Sequence, residues 1–180
     1  AYSDNIIFNS ATGFFLEPGI IVTTWSFIND SLKESTNIQV LTNSKKTYDI
    51  EGVISINEDA DIALLKLTSV VNQKVILGKA TKGEEILMLG SFSGFGISGK
   101  IGLNLLNNDI SNNSLYTTKE NLGSPLFNKN GEVIGIVNGI SNNRNISTST
   151  SSDFLNIYCK NFSKVDFDSI KSYSLKQIAN

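Results

Sequence analysis

The sequence predicts an all-β fold built from two halves of similar size. Short apolar runs recur along the 180 residues, and clusters of Asn, Ser, Asp and Gly separate them about every 8 to 12 residues. The chain also has 14 Gly but only two Pro, a composition that suits many tight turns between strands. The pattern stops at the polar stretch 71–73 and then starts again. We therefore expect two β units, at residues 10–70 and 74–150, within one domain that spans 1–180.

The first unit begins with a predicted hairpin. Its strands are 12–16 and 20–24, and the turn Glu17-Pro18-Gly19 supplies a fixed φ at Pro and freedom for positive φ at Gly. The run IALLKL at 62–67 is apolar throughout, as expected of a strand buried on both faces. The other strands predicted in this half are 38–41 and 48–56.

The second unit repeats the alternation of strands and polar turns. Its predicted strands are 75–77, 85–90, 97–106, 114–117, 125–127, 133–137 and 146–150. After them, the sequence Ser151-Ser152-Asp153 can cap a helix in which Phe154, Tyr158 and Phe162 form one apolar stripe. A second helix is predicted over 166–178, so the segment 151–180 carries one or two C-terminal helices.

The composition excludes several classes of function. Fifteen Lys and Arg against 17 Asp and Glu leave a net charge of −2, so nucleic acid is not an expected partner. One Cys and no His exclude a disulfide, a zinc site of the usual kind and any mechanism that uses imidazole. The acidic groups 58–61, 84–85 and 166–168 fall at turns or helix starts, where acids are common, so we expect no metal and no cofactor.

No apolar run approaches 18 residues, and no charged stretch precedes a short apolar run, so we expect neither a membrane span nor a signal peptide in this segment. The chain starts abruptly at Ala1, which leaves the localisation open.

Three motifs in order carry a family resemblance. They are ATGFFLEPGIIVTTWSFI (11–28), DADIALLKL (59–67) and ENLGSPLFNKNGEVIGIVNG (120–139). Together with VILGKATKGEEILMLGSFSGFGISGKIG (75–102) and STSTSSDFL (147–155), they resemble a trypsin-like serine protease domain of the bacterial HtrA/DegP type. The resemblance implies two six-stranded antiparallel β-barrels followed by one or two C-terminal helices.

The resemblance also shows where the catalytic residues should lie. The position of the catalytic His is Ser26, that of the nucleophilic Ser is Leu122, and the triad carboxylate is Asp61. In the oxyanion loop, Glu120 and Ser124 stand where the family has Gly, while Asn121 and Gly123 match the motif. Because the carboxylate acts only through the imidazole, Asp61 has nothing to orient. We therefore expect no functional catalytic residue, and we expect Asp61 to accept backbone N–H groups at the start of a buried strand.

Three functions remain open. The first is an inactive trypsin-like domain, or pseudoprotease, that binds a protein or an extended peptide as an added strand. The family's substrate-pairing edge falls on Val137, Asn138, Gly139 and Ile140, although the polar loop 141–145 could equally fold over it. The second is a structural or assembly domain of a larger protein. The third is a hydrolase that works without His, for example through a Ser-Lys dyad at Ser26 or Ser124. The resemblance also implies a parent protein that is extracytoplasmic or membrane-anchored.

Overall fold

The structure is a computed structural model that describes residues 2–3, 6–7, 9–33, 37–91, 96–105, 110–140 and 146–159. Thirteen strands and two α-helices lie in this part of the chain. The strands are β1 (Tyr2–Ser3), β2 (Ile6–Ile7), β3 (Phe14–Glu17), β4 (Ile20–Thr23), β5 (Gln39–Leu41), β6 (Thr47–Asn57), β7 (Ile62–Leu67), β8 (Glu85–Ser91), β9 (Ile97–Leu103), β10 (Ile110–Asn113), β11 (Pro125–Phe127), β12 (Val133–Val137) and β13 (Ser147–Ser151). The helices are α1 (Trp25–Lys33) and α2 (Ser152–Cys159), and Lys119–Asn121 forms a 3₁₀ turn.

The N-terminal sheet has five antiparallel strands in the order β3-β4-β7-β6-β5. Its two middle strands, β4 and β7, are apolar on both faces, and nearly all of their side chains are buried. The prediction that IALLKL is buried on both sides is therefore confirmed. On one face of the sheet, Ile21 and Leu65 pack in a cluster with Ile28 of α1. On the other face, Val22 and Leu64 pack toward the second sheet.

The C-terminal sheet has six antiparallel strands in the order β10-β13-β12-β11-β8-β9. Its ends meet at a bridge between Asn104, just after β9, and Asn113 at the end of β10. Inside this curled sheet lies a core of Ile86, Met88, Leu115, Leu126, Ile134 and Val137. The double β-barrel, trypsin-like fold class is thus confirmed, with five strands in the first described sheet and six in the second.

The two sheets share one hydrophobic cluster. Phe14, Leu16 and Val22 of the first sheet pack in it with Val133 and Ile136 of β12 and with Leu155 of α2. Helix α2 also reaches the first sheet through a short hydrogen bond between the Tyr158 and Ser55 hydroxyls. The halves therefore form a continuous core, and α2 contacts both.

One helix was missed, and two predicted strands do not form. Helix α1 was not predicted, although Trp25, Ile28 and Leu32 have helical spacing after a polar Thr24. The segment 75–77 is not a strand, because only Leu77 forms a bridge, with Val133. The segment 114–117 is not a strand either, because the chain pairs with β13 earlier, through β10 at Ile110–Asn113.

The first C-terminal helix is confirmed as α2, and the second, at 166–178, lies outside the described residues. Neither described helix is long and apolar enough to cross a membrane.

Candidate functional site

Two of the predicted triad positions contact each other. Ser26 is the second residue of α1, and Asp61 immediately precedes β7. The backbone N–H of Ser26 donates to Asp61 Oδ1 at 2.6 Å, and the Ser26 hydroxyl donates to Asp61 Oδ2 at 2.9 Å. Both oxygens of the carboxylate are therefore used at the N-terminus of α1, which confirms that Asp61 accepts a backbone N–H.

This geometry determines what the Ser26 and Asp61 pair can do. An acceptor at the first turn of a helix satisfies an otherwise unpaired N–H, and a negative charge there interacts favourably with the helix dipole. The Ser26 hydroxyl is held as a donor to a carboxylate, which is a far weaker base than the imidazole that activates a serine. The pair therefore caps the first turn of α1.

The loop that contains Leu122 is closed by its own hydrogen bonds. Within the 3₁₀ turn, the Leu122 N–H donates to Lys119 O at 3.2 Å, and the Ser124 N–H donates to Asn121 O at 3.0 Å. The Gly123 N–H donates to Val137 O at 2.8 Å. An oxyanion hole needs N–H groups that point at the substrate, and these three donate to the protein itself. The Leu122 side chain is half-buried.

Asn121 and Gly123 hold the loop in this shape. The Asn121 side chain is fully buried, where Oδ1 accepts from the Thr118 N–H at 2.9 Å and Nδ2 donates to Ser91 O at 2.5 Å. Gly123 has φ of 82°, and a Cβ on it would overlap the carbonyl oxygen of Thr12. Only glycine fits both the positive φ and the close approach.

Thr12 joins this loop to the first sheet, and the sequence did not single it out. Its N–H donates to Leu122 O at 2.8 Å, and its hydroxyl donates to Glu120 O at 2.9 Å. The same hydroxyl accepts from the Ser91 N–H at 3.0 Å, while Thr23 donates to Thr12 O at 2.8 Å. The first and third motifs thus meet at the junction of the two sheets.

A family comparison agrees with this arrangement. The model of the trypsin-like peptidase domain matches residues 11–136, which contain the hairpin, Asp61 and the Leu122 loop. The chain belongs to the trypsin-like peptidase domain family. A curated relative, the anti-sigma-I factor RsgI9 of Acetivibrio thermocellus, is 26% identical over 182 aligned residues. That alignment covers 95% of this chain and 25% of the relative, so the chain spans about a quarter of the relative's length.

Ser124 of this trypsin-like domain is fully buried. Its side chain has no exposed surface, and its hydroxyl packs where a Cβ on Gly90 would be. Within the described residues, no hydrogen-bond partner reaches that hydroxyl. No Lys amine therefore contacts it in this part of the structure, and Ser26 has Asp61 as its partner instead.

The predicted peptide-binding edge of the trypsin-like domain is largely paired within the protein. Val137 donates to Ser124 O at 2.9 Å and accepts from Gly123, so both of its backbone groups are used. The N–H groups of Asn138 and Gly139 lie 3.1 and 3.3 Å from Thr148 O, and Gly139 O accepts from the Thr117 hydroxyl at 3.0 Å. Ile140 is 48% exposed, and the loop 141–145 lies outside the described residues.

A polar link between the sheets lies beside this edge. The Thr150 hydroxyl donates to Ala60 O at 2.9 Å, and Asn138 Nδ2 donates to that hydroxyl at 2.9 Å. Ala60 precedes Asp61, so the link fixes the backbone that carries the carboxylate. Neither Thr150 nor Asn138 was identified with this role from sequence, because only the fold brings residues 60 and 150 together.

A cleft of about 610 Å³ opens between the two halves of the trypsin-like domain. Its walls include Phe14 and Phe15 of β3, Leu89 of β8, Ile97 of β9 and Phe127 of β11, with Lys74 nearby on the segment between the sheets. Within the described residues, no three Asp, Glu or Cys side chains come together as metal ligands. The cleft therefore presents apolar surface rather than a charged site.

Proposed function

We propose that this chain is a catalytically inactive trypsin-like domain of the HtrA/DegP type that binds a protein or an extended peptide. The observation that carries the proposal is the pairing of Ser26 with Asp61 in a chain that contains no His. Serine attack requires a base of suitable pKa, and the position of that base holds a hydroxyl donor. The nucleophile position holds Leu122, which has no group to activate.

The loop geometry supports inactivity independently of the side chains. Inactivated triads keep some rate enhancement through the oxyanion hole and substrate binding. Here the Leu122 N–H donates to Lys119 O, and the Val137 backbone is paired with Gly123 and Ser124. Both sources of residual rate enhancement are therefore weakened, so we expect no residual activity.

The second candidate is a structural or assembly domain. Internal pairing of Val137, Asn138 and Gly139 favours it, because that edge offers few free backbone groups to a peptide. The two functions differ in whether the isolated domain binds extended peptides at all. A peptide array probed with the labelled domain distinguishes them, since a purely structural domain gives no reproducible peptide signal.

The curated relative adds a biological setting to the proposal. That relative is named as an anti-sigma-I factor. We propose that this chain is likewise the ligand-binding part of a longer regulatory protein, in which peptide binding replaces peptide cleavage. An extracytoplasmic or membrane-anchored parent fits that proposal.

The test of inactivity is a covalent probe combined with a substrate assay. The protein is incubated with a fluorophosphonate probe and, separately, with an unfolded protein substrate, alongside an active trypsin-like protease as positive control. We expect no adduct by mass spectrometry and no cleavage above background. An adduct on a serine that disappears in Ser26→Ala or Ser124→Ala would overturn the proposal and identify a hydrolase that works without His.

A further inference from the structure

Strand β9 has one edge that the described fold leaves unpaired. Among the described strands it is the last of its sheet, and over the length from Ile97 to Leu103 it pairs there with β8 alone. The other edge of β9 meets β10 only at its end, where Leu103 contacts Ser114 and Asn104 bridges Asn113. The stretch before Leu103 therefore ends the sheet.

The direction of the backbone groups follows from the residues at that end. Asn104 donates to Glu84 O at 3.0 Å on the β8 side, whereas Leu103 O accepts from Ser114 N at 3.0 Å on the opposite side. The Leu103 N–H also donates to the Ser114 hydroxyl at 2.8 Å. Backbone groups alternate along a strand, so those of Gly99 and Ile101 point away from β8, as those of Leu103 do. None of the described residues pairs with Gly99 or Ile101 on that side.

The side chains of the same residues form an apolar outer row. Residues at alternate positions share a face, and Ile97, Ile101 and Leu103 are 44%, 68% and 45% exposed. Gly99 lies between the two isoleucines, and a Cβ on it would already be tight against Leu87 and Leu89. Exposed strands of this kind are normally blunted by charge or Pro, yet this row contains neither.

We propose that the outer edge of β9 is a docking site for an extended apolar peptide, which adds as a seventh strand to the C-terminal sheet. The proposal rests on the proposed binding function and moves its site away from the edge at Val137–Ile140, where both backbone groups of Val137 and the N–H groups of Asn138 and Gly139 are used internally. Gly99 and Ile101 supply the main-chain hydrogen bonds, and the apolar row selects bulky side chains at alternate positions. Ile97 also lines the cleft between the halves, so residues that continue past the strand can place an apolar side chain there.

The area of the edge favours a peptide over a second copy of the chain. Two copies could pair β9 with β9 around Gly99, matching Ile97 with Ile101. However, a stable dimer buries about 800 Å² per partner, and three partly exposed side chains on one strand provide far less. A peptide that follows the edge and enters the cleft uses both surfaces, which a rigid second copy does not.

The test uses a fluorescein-labelled peptide of alternating valine and threonine residues with lysines at both ends, measured by fluorescence anisotropy. Two further versions carry N-methyl groups on alternate residues, one along each edge of the peptide. We expect one version to lose binding by about tenfold or more and the other to bind normally, because only one edge donates to β9. Equal binding of both N-methylated versions would exclude strand addition.

Variants then locate the site. Ile101→Lys is compared with Leu41→Lys, because Leu41 is 65% exposed on β5, the last strand of the other sheet. We expect about a tenfold loss of peptide affinity for Ile101→Lys only. Both variants should unfold at the same urea concentration as the unsubstituted protein. Peptide binding that is unaffected by Ile101→Lys overturns the β9 site but leaves the binding function intact.

Two further outcomes would contradict a peptide site at the β9 edge. If the unsubstituted protein binds none of these peptides, the β9 site fails, and the peptide array decides the binding function separately. If sedimentation shows a dimer that Ile101→Lys dissociates, the β9 edge is a contact between copies and the peptide proposal is wrong.

Discussion

The Asp61 carboxylate accepts two hydrogen bonds from Ser26, one from the backbone and one from the hydroxyl. Its backbone has φ of 52°, a left-handed value that Asp tolerates better than most residues. Asp at this position is therefore explained by the capping of α1 and by the local turn. No catalytic role is needed to account for it.

Replacement of Asp61 should reveal both structural roles. Asp61→Asn keeps an acceptor oxygen and tolerates positive φ, so we expect a loss of about 1 kcal/mol in the free energy of unfolding. Asp61→Ala loses both features and should cost about 2 to 3 kcal/mol. Urea unfolding followed by tryptophan fluorescence measures the difference. Equal effects of the two substitutions would show that neither the acceptor nor the φ matters.

Gly123 and Gly131 form a matched pair of positive-φ glycines. Their φ values are 82° and 76°, but a Cβ on Gly123 would overlap Thr12 O, whereas a Cβ on Gly131 meets nothing within 4 Å. We expect Gly131→Ala to cost about 1 to 2 kcal/mol through backbone strain alone. Gly123→Ala should cost about 4 kcal/mol or more, because the loop must also separate from Thr12. Similar unfolding midpoints for both variants would contradict the role of the Thr12 contact.

At the scale of elements, the loop 119–124 decides whether activity can be restored. The 3₁₀ turn directs the Leu122 N–H to Lys119 O, and this hydrogen bond does not depend on the Leu122 side chain. Restoring a serine therefore does not restore an oxyanion hole. The backbone conformation would have to change as well.

We therefore expect the double variant Ser26→His with Leu122→Ser to stay near background in burst kinetics with an active ester. The missing oxyanion donor alone costs about 2.7 to 4 kcal/mol of transition-state stabilisation. Adding Glu120→Gly and Ser124→Gly restores two glycines and offers the best chance of turnover. Full activity in the double variant would show that the loop can adopt the active conformation without them.

The elements also show where sequence reasoning succeeds. The hairpin turn at Pro18, the doubly buried β7 and the cap at the start of α2 were predicted, because each depends on residues close in sequence. Strand β10 was missed, because its residues Ile110–Asn113 are mostly polar and pair with the equally polar β13. The contacts of Thr12 were missed for a similar reason, since a threonine at a strand end carries no local signal of distant partners.

At the scale of the whole molecule, the two sheets depend on each other. They share a hydrophobic cluster, Thr12 donates and accepts across the junction, and Thr150 donates to Ala60. Helix α2 contacts both halves through Leu155 and Tyr158. Each half also has a hydrophobic cluster of its own, and these contacts join the two halves into one packed unit.

We therefore expect a single unfolding transition in calorimetry, with equal calorimetric and van't Hoff enthalpies. Thr12→Val removes the hydroxyl that donates to Glu120 O and accepts from the Ser91 N–H, so both of these hydrogen bonds are lost. This variant should lose about 2 to 4 kcal/mol and still unfold in one step. Two separate transitions in the unsubstituted protein would show that the halves fold independently.

The contacts between the two sheets join residues that are synthesised several seconds apart. Thr12 and its acceptor at Glu120 are 108 residues apart, and the contact between Thr150 and Ala60 spans 90 residues. At roughly 5 to 20 residues per second, a ribosome completes the first sheet several seconds before it makes the loop that holds Thr12. During that interval, the face of β4 and β7 that later meets β12 and α2 is exposed to other nascent chains. We therefore expect the chain to be most prone to aggregation while its N-terminal half is folded and its C-terminal half is still being synthesised.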